Sequence, residues 1–257
     1  GSRMLVVREP VLTTSALVCP EASGLHWYFF GVDGLLGDRI FGNASDRALV
    51  GDWDGRGSEL LGVVGRGEGD LFEWRFGDRQ GSAELAPLTW GSAVGATPFA
   101  GELEAQDSRV AVPMLLDPSA GRLNAWNGEQ TIEWILPETS IPTGVQPFAA
   151  GGSVIALFDG STGELLLIDL DSAELTVLNR TLRASLSMTT IDFARNGSTE
   201  VVFCGDGQLE VWSVQGEQDL LLSLPSQSRC LAGIVGDSES EHLVVYYPVL
   251  GLLLRAN

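Results

Sequence analysis

The chain contains no lysine: its 15 basic residues are all arginine, set against 34 aspartates and glutamates, for a formal net charge of −19. Sequence-independent nucleic-acid binding depends on neutralising phosphates with Lys and Arg, so this balance, with no basic stripe, excludes nucleic acid as a partner. An anionic membrane surface is disfavoured for the same reason. No run of about 18 apolar residues exists to span a bilayer. A cationic partner, a neutral glycan or a metal ion remains compatible with the charge.

Cysteine and histidine are scarce as well. Cys19, Cys204 and Cys230 have no metal-binding or redox spacing. Cys19 and Cys204 sit at nearly the same place in their repeats and read as small core hydrophobes. His26 and His242, the two histidines, each lie in a β-rich run and read as structural. There is no Gly-x-Ser-x-Gly elbow and no His-Glu-x-x-His helix. Acidic pairs are so abundant that a carboxylate pair for glycoside hydrolysis carries no specificity. These absences point away from an enzyme. No helical periodicity extends far enough to build on.

What is present is a repeat. Glycine contributes 32 residues and apolar residues 44%, a folded composition rather than a disordered one. The pattern Gly-x-Leu followed by an aromatic or aliphatic residue recurs at Gly69-Asp-Leu71, Gly121-Arg-Leu123, Gly163-Glu-Leu165, Gly207-Gln-Leu209 and Gly251-Leu-Leu253. A weaker copy is Gly24-Leu25-His26-Trp27. The copies start roughly 42 to 52 residues apart, the period of a four-stranded propeller blade. Apolar runs of four to eight residues separated by Gly, Asp, Asn and Ser turns are the all-β signature. Phe72, Trp74 and Phe76 alternate with Glu73 and Arg75, as a half-buried strand requires. Val154–Leu157 is apolar throughout, as a strand covered on both faces requires.

A small-residue strand opens each unit: Ala48–Asp52, Pro98–Glu102, Pro147–Gly151, Thr190–Asp192 and Cys230–Gly233. Complete units fall at about 48–95, 96–143, 144–186 and 187–228, with a further one over 4–47. Residues 229–257 supply only three strands. The expectation is therefore a single domain over 1–257, a six-bladed β-propeller of four-stranded antiparallel blades. Its N-terminal strand, Leu5–Arg8, would complete the last blade; seven blades is the alternative count.

Two stretches, Phe41–Gly55 and Ile191–Trp212, resemble FG-GAP/VCBS-type repeats, which build the propellers of integrin α-subunits and many bacterial surface proteins. That family carries an Asp-x-Asp-Gly-Asp-Gly-x-x-Asp turn that holds calcium, so the resemblance implies calcium turns here. Calcium takes about six to eight oxygens, many of them anionic. In the turn at 52–60, Asp52 and Asp54 match the first and third ligand positions, but Arg56 occupies the fifth. Its guanidinium would take the place of the cation and pair with both carboxylates. In the turn at 192–200, Asp192, Asn196 and Glu200 match the first, fifth and ninth positions, while Ala194 removes the third. This turn is a weak calcium site or a structural Asx turn. No cofactor is otherwise required.

Trp74, Trp126 and Trp212 share one repeat position and read as blade packing. Trp53, Trp27 and Tyr28 break the pattern and are the aromatic binding candidates. The sequence thus points to a non-catalytic scaffold that binds a protein through a propeller face; a glycan-binding lectin and a carboxylate-dependent hydrolase are the alternatives. Gly1-Ser2 reads as a cloning remnant, with Arg3 as a possible part of it, and Met4 as a candidate start. A native start at Met4 would make the protein cytoplasmic; a removed signal peptide would place it outside the cell or at its surface.

Overall fold

The computed structural model describes residues 3–8, 13–31, 34–80, 85–105, 108–136, 146–149, 154–159, 164–170, 175–178, 187–191, 200–205, 207–213, 218–224, 229–233, 242–247 and 252–256. Every element but one single-turn 3-10 helix, Glu68–Asp70, is a β-strand. The chain divides into two compact units, Gly1–Leu136 and Pro137–Asn257.

The first unit holds three four-stranded antiparallel sheets. The first sheet runs β1 (Arg3–Arg8), β2 (Thr13–Glu21), β3 (Gly24–Gly31), β4 (Gly34–Ile40) in spatial order. The second runs β5 (Arg47–Gly51), β6 (Leu60–Arg66), β7 (Leu71–Gly77), β8 (Leu88–Ser92), and the third β9 (Thr97–Ala105), β10 (Ser108–Asp117), β11 (Arg122–Trp126), β12 (Thr131–Ile135). The second unit holds β13 (Gln146–Ala149) to β16 (Leu175–Leu178) by way of β14 (Val154–Asp159) and β15 (Glu164–Asp169), and then β17 (Ser187–Ile191), β18 (Glu200–Gly205), β19 (Gln208–Trp212) and β20 (Gln218–Ser223). Among the described residues its last sheet has three strands, β21 (Arg229–Gly233), β22 (His242–Tyr247) and β23 (Leu252–Ala256). Each sheet is a meander, and each occupies one unit of the sequence repeat.

The repeated glycine has a backbone reason. Gly24, Gly69, Gly121 and Gly207 all adopt positive φ, at 135°, 67°, 60° and 77°. Side chains rarely tolerate that region, so a tight turn into the third strand selects glycine. The chain also returns to this residue after the outer strand: the Leu136 amide donates to the Gly121 carbonyl at 2.9 Å and the Leu224 amide to that of Gly207 at 2.6 Å. The leucine two places on is buried in β11, β15 and β19, and in β3 the leucine directly after Gly24 is buried. The second sheet departs from this. There Asp70 also takes positive φ, at 58°, and the extra residue of the 3-10 turn shifts the strand by one. Leu71 is 39% exposed and Phe72 is buried in its stead.

Consecutive sheets bury their faces against one another. Trp27, Phe29, Leu25, Ala16 and Val18 of the first sheet pack with Leu61, Val63 and Ala48 of the second. Phe72, Trp74 and Phe76 of the second meet Leu115 of the third. In the second unit Phe158, Leu165 and Leu167 pack on Val201 and Phe203. Each fully buried side chain of this size contributes about 1.5–3 kcal/mol. First strands lie side by side: β1 approaches β5, β5 approaches β9, and β17 approaches β21.

One expectation is corrected. The N-terminal strand does not complete the last sheet: Leu5 pairs with Ala16 and Arg8 with Thr13, which makes β1 the first strand of the first sheet. Leu5 and Val7 alternate into the core shared with the second sheet, and that burial fixes the pairing.

The second and third sheets approach closely at Gly51. A Cβ there would lie 2.4 Å from the Cβ of Ala111. Next to it, the Ala111 amide donates to the Asp52 carbonyl at 3.0 Å, a backbone bond between sheets. Gly51→Val should therefore destabilise by about 1–3 kcal/mol through overpacking, read from the midpoint of urea unfolding. An unchanged midpoint would show that this contact is not formed.

Candidate functional site

The third strand of the first sheet alternates strictly. Leu25, Trp27 and Phe29 point into the core, which turns His26, Tyr28 and Phe30 to the opposite face. On β2 the same alternation sends Ala16 and Val18 inward and Cys19 outward, directly across from His26. Cys19 is thus half-buried beside a histidine and is not the core hydrophobe the repeat suggested. The tight hairpin at Glu21–Gly24 brings Glu21 alongside, and β4 sets Asp38 opposite Tyr28.

These residues form a connected cluster. The His26 Nε2–Asp38 Oδ2 distance is 2.6 Å and the Nδ1–Glu21 Oε2 distance 3.3 Å. The Tyr28 hydroxyl donates to Glu21 Oε1 at 2.9 Å and lies 3.0 Å from His26 Nδ1, and the two rings stack at 4.2 Å. A protonated imidazole donates from both nitrogens, so carboxylates on either side favour the charged form. The hydrogen bond to Asp38 raises the His26 pKa above its ordinary 6.5, with Glu21 adding to it. The bonds from Tyr28 and then His26 lower that of Glu21. The bond to Glu21 raises that of Tyr28, so the phenol is held neutral and is not primed as a nucleophile. Chemically this is a charged tie across β2, β3 and β4. Sequence reasoning named Tyr28 as a binding candidate and read His26 as structural, but did not single out Glu21 and Asp38. The inward run Leu25, Trp27, Phe29 was the available signal, since it forces its neighbours onto one outward face.

The other named residues are mostly occupied within the protein. Trp27 is fully buried and its Nε1 donates to the Phe41 carbonyl at 2.9 Å, which makes it a core residue rather than an exposed aromatic. Trp53 is partly buried: its ring lies 4.7 Å from Phe76 and its Nε1 donates to the Leu60 carbonyl at 3.2 Å. In the turn at 52–60 the Arg56 and Gly57 amides donate to the two Asp52 oxygens at 3.0 and 2.8 Å. Asp54 accepts from the Arg56 amide at 3.3 Å, and its other oxygen lies 3.4 Å from Arg56 Nε. Arg56 thus engages Asp54 by guanidinium and Asp52 by its amide alone. Asp192 and Asn196 lie outside the described residues; Glu200 opens β18 and is buried. Among the described residues no group of three or more His, Cys, Asp or Glu is placed to hold a metal ion. A cavity of about 260 Å³ lies between β4 and β7, lined by Arg39, Phe41, Arg75, Phe76 and Leu85. Its guanidinium groups are engaged: Arg75 donates to the buried Asp46 carboxylate and Arg39 to the Asp78 carbonyl.

No protein-family model matches the chain, and no curated protein matches it in sequence. Solved structures do. BBS1N, in its complex with ARL6DN, is 12% identical with a TM-score of 0.60 over 98% of this chain and 77% of that one. A chain of the nidogen/laminin complex is 9% identical, with a TM-score of 0.57 over 93% and 91%. A catalytically inactive virginiamycin B lyase from Staphylococcus aureus, with quinupristin, is 9% identical, with a TM-score of 0.54 over 99% and 87%. The shared feature is the propeller-type fold. At these identities it is the fold alone that is shared.

Two outcomes follow from the site. The contribution of His26 is complete below about pH 6.5, its ordinary value, and is lost as pH rises through its raised folded value. That of Glu21 is complete above 4.5 and is lost as pH falls through its lowered value. The melting temperature should therefore fall more steeply above pH 6.5 in the wild type than in His26→Gln; parallel pH profiles would contradict the tie. Calcium titration should leave the melting temperature unchanged, because protein donors already hold both Asp52 oxygens. A rise of many degrees would show an intact site.

Proposed function

We propose that the chain is a non-catalytic, protein-binding propeller of six blades, an FG-GAP-type repeat protein whose calcium turns have become structural ones. The observation that carries this is where its exposed apolar surface lies. Of the seven large hydrophobic side chains exposed among the described residues, five stand on outer strands: Leu35, Leu36 and Ile40 on β4, Ile135 on β12 and Leu222 on β20. Packing between sheets leaves these outer-strand side chains uncovered, whereas a protein partner would cover them. The propeller-type neighbours include BBS1N in complex with ARL6DN and a chain of the nidogen/laminin complex, which supports the same reading.

The lectin alternative is weakened by particulars. Trp27 and Trp53 spend their rings in the interior and Tyr28 stacks on His26, so none is an open platform for a sugar. Quantitative cross-linking of the tagged chain in an extract of its source organism tests the reading. One protein recovered in stoichiometric amount is expected. Recovery of no protein, together with glycan-array binding, would replace this reading with the lectin one.

A further inference from the structure

Strand β4 is unlike the other outer strands. It carries three of the seven exposed large hydrophobics among the described residues, Leu35 at 58%, Leu36 at 48% and Ile40 at 49%. Like the other fourth strands it ends its sheet: the order is β1-β2-β3-β4, and among the described residues the second edge of β4 has no ladder. An edge strand that is seven residues long and apolar offers backbone donors and acceptors together with side-chain contact, the combination that recruits another strand. The strand itself carries the exposed carboxylate of Asp38, and β2 of the same sheet carries that of Glu21, with one imidazole between them. The local charge is negative whether or not His26 is protonated.

We propose that the outer edge of β4 is a β-augmentation site for an extended, basic segment of a partner protein, one that carries apolar residues and arginine or lysine by turns along one face. On the face that β4 shares with Tyr28 and His26, apolar positions of the segment would cover Leu35, Leu36 and Ile40, and a cationic position between them on that same face would meet Asp38 and Glu21. A second copy of this chain is the poorer occupant, since each copy carries a net charge of −19 and like charge opposes pairing. This inference rests on the protein-binding reading above and names its surface.

The probe is a blocked, fluorescent eight-residue peptide in which valine and arginine take turns at every second position, with threonine between them, titrated into the full chain and followed by anisotropy. Saturable binding is expected, together with slowed hydrogen exchange in residues 34–40. A matched peptide with glutamate for arginine should not bind. The double variant Leu36→Thr, Ile40→Thr keeps β-propensity but removes apolar contact, and should weaken binding about tenfold or more. Its unfolding midpoint shows whether it is folded; if it is not, Asp38→Asn should weaken binding and flatten its salt dependence. Unchanged affinity in the folded double variant, or exchange slowed elsewhere but not in 34–40, overturns the site. A wild-type dimer dispersed by the double variant would overturn it in favour of a second copy. If a stoichiometric partner found by cross-linking is still held by the double variant, this surface fails while the protein-binding reading stands.

Discussion

A four-stranded antiparallel sheet has two faces, and a chain whose strands are apolar on both must cover both. That constraint governs most of what is seen here. Val154–Asp159 is buried along nearly its whole length because another sheet packs against it within its unit. The same constraint sets the spacing between sheets, where Gly51 meets Ala111 with no room for a side chain and the Ala111 amide ties itself to the Asp52 carbonyl. The tryptophans follow from it too. Trp74 is buried between sheets with its Nε1 on the Trp90 carbonyl, and Trp90 bridges to Trp126 of the next sheet. Function is then left to what the packing does not use.

The repeat was legible because one backbone requirement recurs. Positive-φ glycine turns precede β3, β7, β11 and β19, and a buried leucine follows in all of these but β7, so Gly121-x-Leu123 and Gly207-x-Leu209 announce themselves. The unit boundaries followed directly. Strand pairing at the N-terminus was not legible, since Leu5–Arg8 carries no mark of which neighbour it joins; burial of Leu5 and Val7 decides it. The second sheet hid a one-residue shift, because a 3-10 turn is set by Asp70 at positive φ, a conformation sequence rarely betrays.

The candidate site was half legible. Trp27 and Tyr28 drew notice together as a departure from the pattern, yet strand alternation sends them to opposite faces. Trp27 anchors the core, while Tyr28 joins Glu21, His26 and Asp38 from three strands. Such a cluster depends on cross-strand register, which no local pattern records. The turn at 52–60 was legible in composition, since an arginine at a cation's ligand position foretold a self-satisfied loop, but the detail differs. The backbone amides of Arg56 and Gly57, more than the guanidinium, hold Asp52.

The account stands or falls on the Gly-x-Leu strands β3, β7, β11, β15 and β19 being interior strands and each fourth strand an edge. Hydrogen-exchange mass spectrometry reads this directly. Slow exchange should recur in β3, β7, β11, β15 and β19, with faster exchange in β4, β8, β12, β16 and β20, so that protection oscillates with the sequence repeat. Outer strands protected as well as their neighbours, or protection that ignores the repeat, would contradict it.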